Sequence, residues 1–119
     1  MMCLLIDPYR KTVETIDFTG GEPDPSHPGA TAAQTLIDSP HCDRQIMPDG
    51  DLVAFRFDDL LTPAPTGAMV DGRLTFGYAI VTAGNRRWQL RSNPEALGER
   101  IQWIASTEQA RAAVKEATF

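Results

Sequence analysis

The chain has 119 residues, of which 42% are hydrophobic and 8% aromatic. This length predicts a single domain over residues 1–119, because domains most often contain about 100–150 residues. No stretch approaches the roughly 18 consecutive apolar residues of a membrane-spanning helix, and the N-terminus lacks the pattern of a secretory signal. The sequence therefore predicts a cytoplasmic protein that does not bind membranes.

The formal net charge is −5, and it is unevenly divided along the chain. Residues 1–72 carry 12 acidic and 4 basic side chains, a balance of −8, whereas residues 73–119 carry 4 acidic and 7 basic side chains, a balance of +3. Nucleic-acid binding depends on lysine and arginine contacts with phosphates, so direct binding to nucleic acid is not expected.

The first 82 residues predict short β-rich strands that are bounded by turn residues. These strands cover residues 2–7, 12–18, 41–47, 52–57 and 74–82. The first two form an antiparallel hairpin around a turn at residues 8–11, with Ile16 and Phe18 directed towards the core. The fourth strand is the clearest, because its apolar residues alternate with a period of two.

Turns, loops and one short helix connect these strands. Glycine and proline are frequent at residues 19–29 and 62–72, which predicts two loops. The run Pro48-Asp49-Gly50-Asp51 predicts a tight turn between the third and fourth strands. An alanine-containing segment at residues 30–38 predicts a short internal helix that ends before Pro40.

The C-terminal third predicts two helices. Asn93 followed by Pro94 is typical of a helix start, and Leu97, Ile101 and Ile104 follow at helical spacing. Trp103 lies off this stripe, and it covers a second contact, lies partly in solvent or packs under the second helix. A second helix begins at Ser106, with Gln109 in capping-box register. The predicted fold class is α+β: a small antiparallel sheet built from N-terminal and central hairpins, with one short internal helix and two C-terminal helices packed on it.

Residue types used in catalysis stand side by side only at His41-Cys42-Asp43. Adjacent residues on a strand point to opposite faces, so His41 and Cys42 are not expected to meet as a nucleophile and base. The two cysteines and two histidines lack metal-ligand spacing, and no phosphate-binding glycine motif is present. The sequence predicts no catalytic residues, metal or cofactor, and an enzyme centred on His41, Cys42 or Asp58 remains a minor alternative.

An acidic stretch runs from Asp38 to Asp71. One interpretation is a solvated face that keeps a small protein in solution; the other is a surface that meets a basic partner protein. The residues predicted for such a partner-binding face are Asp43, Asp49, Asp51, Asp58 and Asp59.

A second candidate binding segment follows the turn at residues 83–86. Arginine and tryptophan are frequent at binding hot spots, and an anionic ligand or nucleotide favours arginine beside an aromatic ring. The alternative is a surface strand that buries Trp88 and Leu90 on one face. The residues predicted to hold such a ligand are Arg86, Arg87, Trp88 and Arg91.

Residues 4–16 read Leu-Leu-Ile-Asp-Pro-Tyr-Arg-Lys-Thr-Val-Glu-Thr-Ile. They resemble the start of a family of small phage- and plasmid-borne proteins, in which a Leu-Ile-Asp-Pro run precedes a Thr-Val segment and an acidic strand. Asp-Gly-Asp-Leu-Val at residues 49–53 and Gly-Tyr-Ala-Ile-Val at residues 77–81 are similar in type to the middle strands of that family. The family brings no activity to individual residues, but the resemblance implies a mobile-element setting.

These observations lead to one principal hypothesis. The chain is predicted to be a non-catalytic accessory protein that binds and inhibits a host protein with a basic surface, for example a CRISPR component or another anti-phage defence protein. The alternative is a small-molecule or nucleotide binder that uses the arginines beside Trp88. The sequence leaves the oligomeric state open.

Overall fold

The computed structural model describes residues 2–17, 42–56, 66–84 and 89–116. These ranges contain, in chain order, the strands and helices β1 Met2–Asp7, β2 Thr12–Asp17, β3 Cys42–Ile46, β4 Leu52–Arg56, β5 Gly67–Val70, β6 Arg73–Phe76, β7 Ala79–Thr82, α1 Pro94–Glu99, β8 Ile101–Ile104 and α2 Thr107–Glu116. The predicted loop at residues 19–29, the predicted helix at residues 30–38, and Phe18 lie outside the described residues.

The larger sheet has five antiparallel strands in the order β2-β1-β7-β4-β3. Two hairpins form its sides. β1 pairs with β2 so that Met2 lies opposite Asp17 and Asp7 lies opposite Thr12. β3 pairs with β4 so that Cys42 lies opposite Arg56 and Ile46 lies opposite Leu52. β7 lies between the hairpins and pairs with both β1 and β4. Both predicted hairpins are confirmed, and Ile16 is buried as expected, at 5% exposed.

The smaller sheet has the order β6-β5-β8 and was not predicted. The prediction of a loop over residues 62–72 is wrong at Gly67–Val70, which is strand β5. β5 and β6 are joined by the two-residue turn Asp71-Gly72, with φ of 51° and 81°. Positive φ at both turn positions matches the right-handed twist of paired strands, which explains why an Asp-Gly pair makes a tight hairpin here.

The predicted single strand over residues 74–82 is also wrong. It is two strands, β6 and β7, which belong to different sheets. The chain changes direction between them at Gly77, where φ is 86°. A continuous apolar run therefore crosses from the smaller sheet to the larger one, which hydrophobicity alone does not show.

The predicted fold class is contradicted by this architecture. The described secondary structure consists mostly of strands in two antiparallel sheets, not of one small sheet with two C-terminal helices packed on it. The predicted helical stripe Leu97-Ile101-Ile104 is divided between α1, which ends at Glu99, and strand β8. Ile101 packs towards one core cluster and Ile104 belongs to another, as the two faces of a strand require.

The main core lies between the two sheets. Its buried residues come from both sheets, from α1 and from the β3–β4 turn: Leu4, Ile6, Met47, Val53, Ala68, Val70, Ala79, Val81 and Leu97. The opposite face of the larger sheet carries a second cluster of Cys3, Leu5, Ile16, Ala54 and Ile80. The opposite face of the smaller sheet packs against α2 through Ala110 and Ala113.

Both helices start with side-chain caps. The Asn93 side chain accepts a hydrogen bond from the Ala96 N–H at 2.8 Å, and Pro94 follows at the first helical position, as predicted. At α2 the Gln109 N–H donates to Ser106 Oγ at 3.1 Å, while the Gln109 side chain accepts from the Ala105 N–H. Neither helix in these ranges is long and apolar enough to cross a membrane.

Candidate functional site

Asp51, one of the residues predicted to face a partner, is buried in the interior. Its side chain is 0% exposed. It accepts hydrogen bonds from the backbone N–H groups of Arg91, at 2.9 Å, and Ser92, also at 2.9 Å. A fully buried carboxylate cannot contact a partner surface, so the prediction for Asp51 is wrong. Its side-chain oxygens hold residues 91–92 against the β3–β4 turn.

Asp49 lies in the same turn and takes part in the same network. It accepts hydrogen bonds from the Asp51 N–H, at 3.0 Å, and from the Ser92 hydroxyl. The Arg100 guanidinium lies 3.6 Å from Asp49 and 3.6 Å from Asp71 in the β5–β6 turn. We call these five residues, Asp49, Asp51, Asp71, Ser92 and Arg100, the turn cluster. Because Ser92 precedes α1 and Arg100 follows it, the turn cluster holds both ends of this helix.

The turn cluster predicts an acid-dependent loss of stability. Burial alone would raise the pKa of Asp49, but hydrogen bonds from Ser92 and Asp51 and the charge of Arg100 lower it below its ordinary value of 3.8. A lowered folded-state pKa stabilises the fold above the ordinary value, and this contribution is lost as the pH falls through the folded value. In thermal melts, Asp49→Asn should therefore be clearly less stable than wild type at about pH 6 and nearly equal to it at about pH 2. An equal difference at both pH values would contradict this role of the Asp49 charge.

The remaining predicted site residues are only partly described. Asp43 lies on strand β3, where the structure describes its backbone alone, and the same holds for Cys42. Arg91 has an exposed side chain, while its backbone N–H is bound to Asp51. The others, Asp58, Asp59, Arg86, Arg87, Trp88 and His41, lie outside the described residues. Within the described ranges, no group of three or more His, Cys, Asp or Glu side chains could hold a metal ion.

A different feature, an open cleft of about 460 Å³, lies beside α1. It is lined by Lys11, Val13, Pro94, Glu95, Gly98, Glu99 and Trp103. The β1–β2 hairpin meets here the C-terminal pair α1 and β8, which is distant from it in sequence. We call this feature the α1 cleft.

Each wall of the α1 cleft is fixed by the core below it. Leu97, 0% exposed, anchors α1 in the main core, and its helical neighbours Glu95 and Glu99 are exposed. Val13 and Trp103 are half-buried and pack against the same core. The indole of Trp103 therefore has one part against the core and another open to the cleft.

The rim of the α1 cleft carries three charged side chains that form no ion pair within the described ranges. Among the described residues, Lys11, Glu95 and Glu99 are exposed and form no ion pair with one another. The rim therefore carries a net charge of −1. Lys11 also has φ of 55°, a left-handed conformation at the end of the β1–β2 turn.

Reasoning from sequence missed this cleft. The sequence predicts Lys11 as part of the turn at residues 8–11, and residue 95 as part of a longer helix that starts after Asn93. Trp103 stood out as lying off the predicted helical stripe, and this was the one signal of its partial exposure. The spacing of Glu95 and Glu99, four residues apart on a helix, places two carboxylates on one face and could have indicated an acidic rim.

No family model, curated protein or solved structure matches this chain. The resemblance of residues 4–16 to the phage- and plasmid-borne family therefore stays a prediction.

Proposed function

We propose that this protein is a non-catalytic binding protein whose partner is a protein with a basic surface. The observation that carries the proposal is the α1 cleft, where a half-buried tryptophan lies beside two carboxylates that have no ion-pair partner in the described part of the chain. Tryptophan contributes strongly to protein interfaces, because its ring buries a large area with little loss of conformational entropy.

The overall charge of the chain supports the same type of partner. A net charge of −5, with −8 over residues 1–72, attracts positively charged proteins and speeds their encounter. Asp58 and Asp59 add to this field from within the acidic stretch. Long-range attraction by the acidic stretch and close contact at the α1 cleft are thus compatible parts of one binding mode.

A narrower form of the proposal concerns the biological setting. It makes the chain an accessory protein of a phage or plasmid that inhibits a host defence component. This form depends on the resemblance of residues 4–16. It is therefore tested by identifying the partner, and not by variants of the α1 cleft.

The test is affinity capture from a lysate of the natural host, with the captured proteins identified by mass spectrometry. Three double variants separate the surfaces: Glu95→Lys/Glu99→Lys in the cleft, Asp58→Lys/Asp59→Lys in the acidic stretch, and Glu108→Lys/Glu116→Lys on α2 as a matched control. We expect wild type and the control to retain one dominant basic protein, and the cleft variant to retain at most about one fifth as much, the effect of about 1 kcal/mol.

Two results would contradict the proposal. If neither the cleft variant nor the acidic-stretch variant loses the partner, binding does not use acidic surface. If nothing is captured and a nucleotide raises the melting temperature of the protein, the chain is a small-molecule binder, since a ligand that binds only the folded state stabilises it. The arginines beside Trp88 would then be the residues to change first.

A further inference from the structure

We infer that the α1 cleft receives one arginine side chain of the partner, which stacks on Trp103 and pairs with Glu95 and Glu99, and that Lys11 excludes a second cation. This inference rests on the proposed function, because it assigns the chemistry of the contact at the same site.

The α1 cleft favours a cation as its ligand. The face of an indole ring carries partial negative charge and attracts ammonium and guanidinium groups placed over it. Glu95 and Glu99 line the same cleft as Trp103, and neither carboxylate is in an ion pair within the described residues. Two free carboxylates beside an aromatic face favour a positive group over a neutral or negative one.

Among cationic side chains, the α1 cleft favours arginine over lysine. Guanidinium is planar, stacks on aromatic rings and donates forked hydrogen bonds to carboxylates, and it is less strongly hydrated than ammonium. The cleft also offers apolar surface at Val13 and Pro94, on which the methylene groups of an arginine side chain can lie. The guanidinium and the methylene groups of an arginine side chain can therefore both make favourable contacts in the cleft.

Lys11 limits the positive charge that the α1 cleft can accept. Its ammonium lines the same cleft and is not neutralised by either glutamate. A lysine on the rim weakens the attraction for any cation, and it does so most for a ligand with two or more positive charges. Lys11 therefore selects a single arginine over a polybasic segment, and its removal should strengthen cation binding.

The experiment uses the full-length protein and N-acetyl-arginine amide as the probe, followed by NMR through the indole N–H signal of Trp103. The spectrum of Trp88→Phe assigns this signal, since the chain has two tryptophans. We expect saturable shifts of the Trp103 signal, with Kd raised about twofold to fivefold by Glu95→Gln or Glu99→Gln. Lys11→Gln should lower Kd by a similar factor, and Glu108→Gln on α2 should leave it unchanged.

Two further probes test the residue type. The citrulline amide has nearly the same shape as arginine without the charge and should not bind, and the lysine amide should bind several-fold more weakly. The inference is overturned if citrulline binds as well as arginine, if the glutamate variants have no effect, or if Lys11→Gln weakens binding, which would indicate an anionic ligand. Opposite effects of the two rim charges cannot arise from a merely structural role.

The outcomes for the inference and for the proposed function are distinguishable. If a basic protein is captured and lost with the cleft variant but the arginine probe does not bind, the inference fails alone. If the arginine probe binds at Trp103 but no basic protein is captured from the lysate, the proposed function fails while the arginine-binding site stands.

Discussion

Asp51→Ala is expected to lower the free energy of unfolding by about 3 kcal/mol, and the melting temperature by about 10 °C. The carboxylate of Asp51 is fully buried and accepts the backbone N–H groups of Arg91 and Ser92. Without it, these two donors lose charge-assisted hydrogen bonds that alanine cannot replace. Chemical denaturation followed by circular dichroism measures the change.

Two related variants make this result specific. Asp51→Asn keeps one acceptor oxygen and should cost about half as much, while Glu108→Ala on the exposed side of α2 should change stability by less than about 0.5 kcal/mol. A loss for Asp51→Ala no larger than that for Glu108→Ala would show that the turn cluster does not hold residues 91–92 in place.

Gly84→Ala is expected to destabilise the fold by about 2 kcal/mol. A Cβ atom at Gly84 would overlap the backbone carbonyl oxygen of Gly50 and would lie 3.2 Å from its carbonyl carbon. The obstacle is backbone, so it cannot be relieved by rotation of a side chain, and the β3–β4 turn has to move. This turn carries Asp49 and Asp51, so the substitution should also loosen the turn cluster.

Gly98→Ala provides the matched control in the same chain. A Cβ atom at Gly98 meets nothing within 4 Å, and the residue lies in helix α1. Alanine in a helix is favoured over glycine by about 0.5–1 kcal/mol, so this variant should be slightly more stable than wild type. Equal stability of the two alanine variants would contradict the close approach of Gly84 to Gly50.

The turn cluster and the α1 cleft are connected through helix α1. This helix has six residues and is too short to be stable by itself, so its position depends on contacts at its two ends and on Leu97. Ser92 and Arg100 provide the end contacts. Variants of Asp51 that still fold should therefore also weaken ligand binding at the cleft, although Asp51 does not line it.

Local signals made the two hairpins of the larger sheet predictable. Proline at residue 8 and the Pro48-Asp49-Gly50 run fix tight turns, and each turn is flanked by residues with strand preference. The same chemistry was present at Asp71-Gly72, but the prolines at residues 63 and 65 led to one long predicted loop. Because the β5–β6 hairpin was not predicted, the smaller sheet was not predicted either.

The C-terminal error has a different cause. Leu97, Ile101 and Ile104 are spaced as on a helix, yet the segment 101–104 pairs with β5 and uses both of its faces. Tertiary packing overrides such a short periodic signal. The α1 cleft could not be predicted for a related reason, since Lys11, Glu95 and Trp103 come together only once both sheets and α1 are in place.

Cross-linking through lysine tests the central claim most directly, because the chain has two lysines: Lys11 on the α1 cleft and Lys115 on α2. An amine-reactive reagent with a photoactivated second arm is attached to the protein, which is then irradiated in host lysate and analysed by mass spectrometry. We predict that a basic partner is joined through Lys11 and not through Lys115, and that Glu95→Gln/Glu99→Gln, which adds no lysine, lowers the yield of this product to about one fifth or less. Cross-links that favour Lys115, or that persist in that variant, would contradict binding at the α1 cleft.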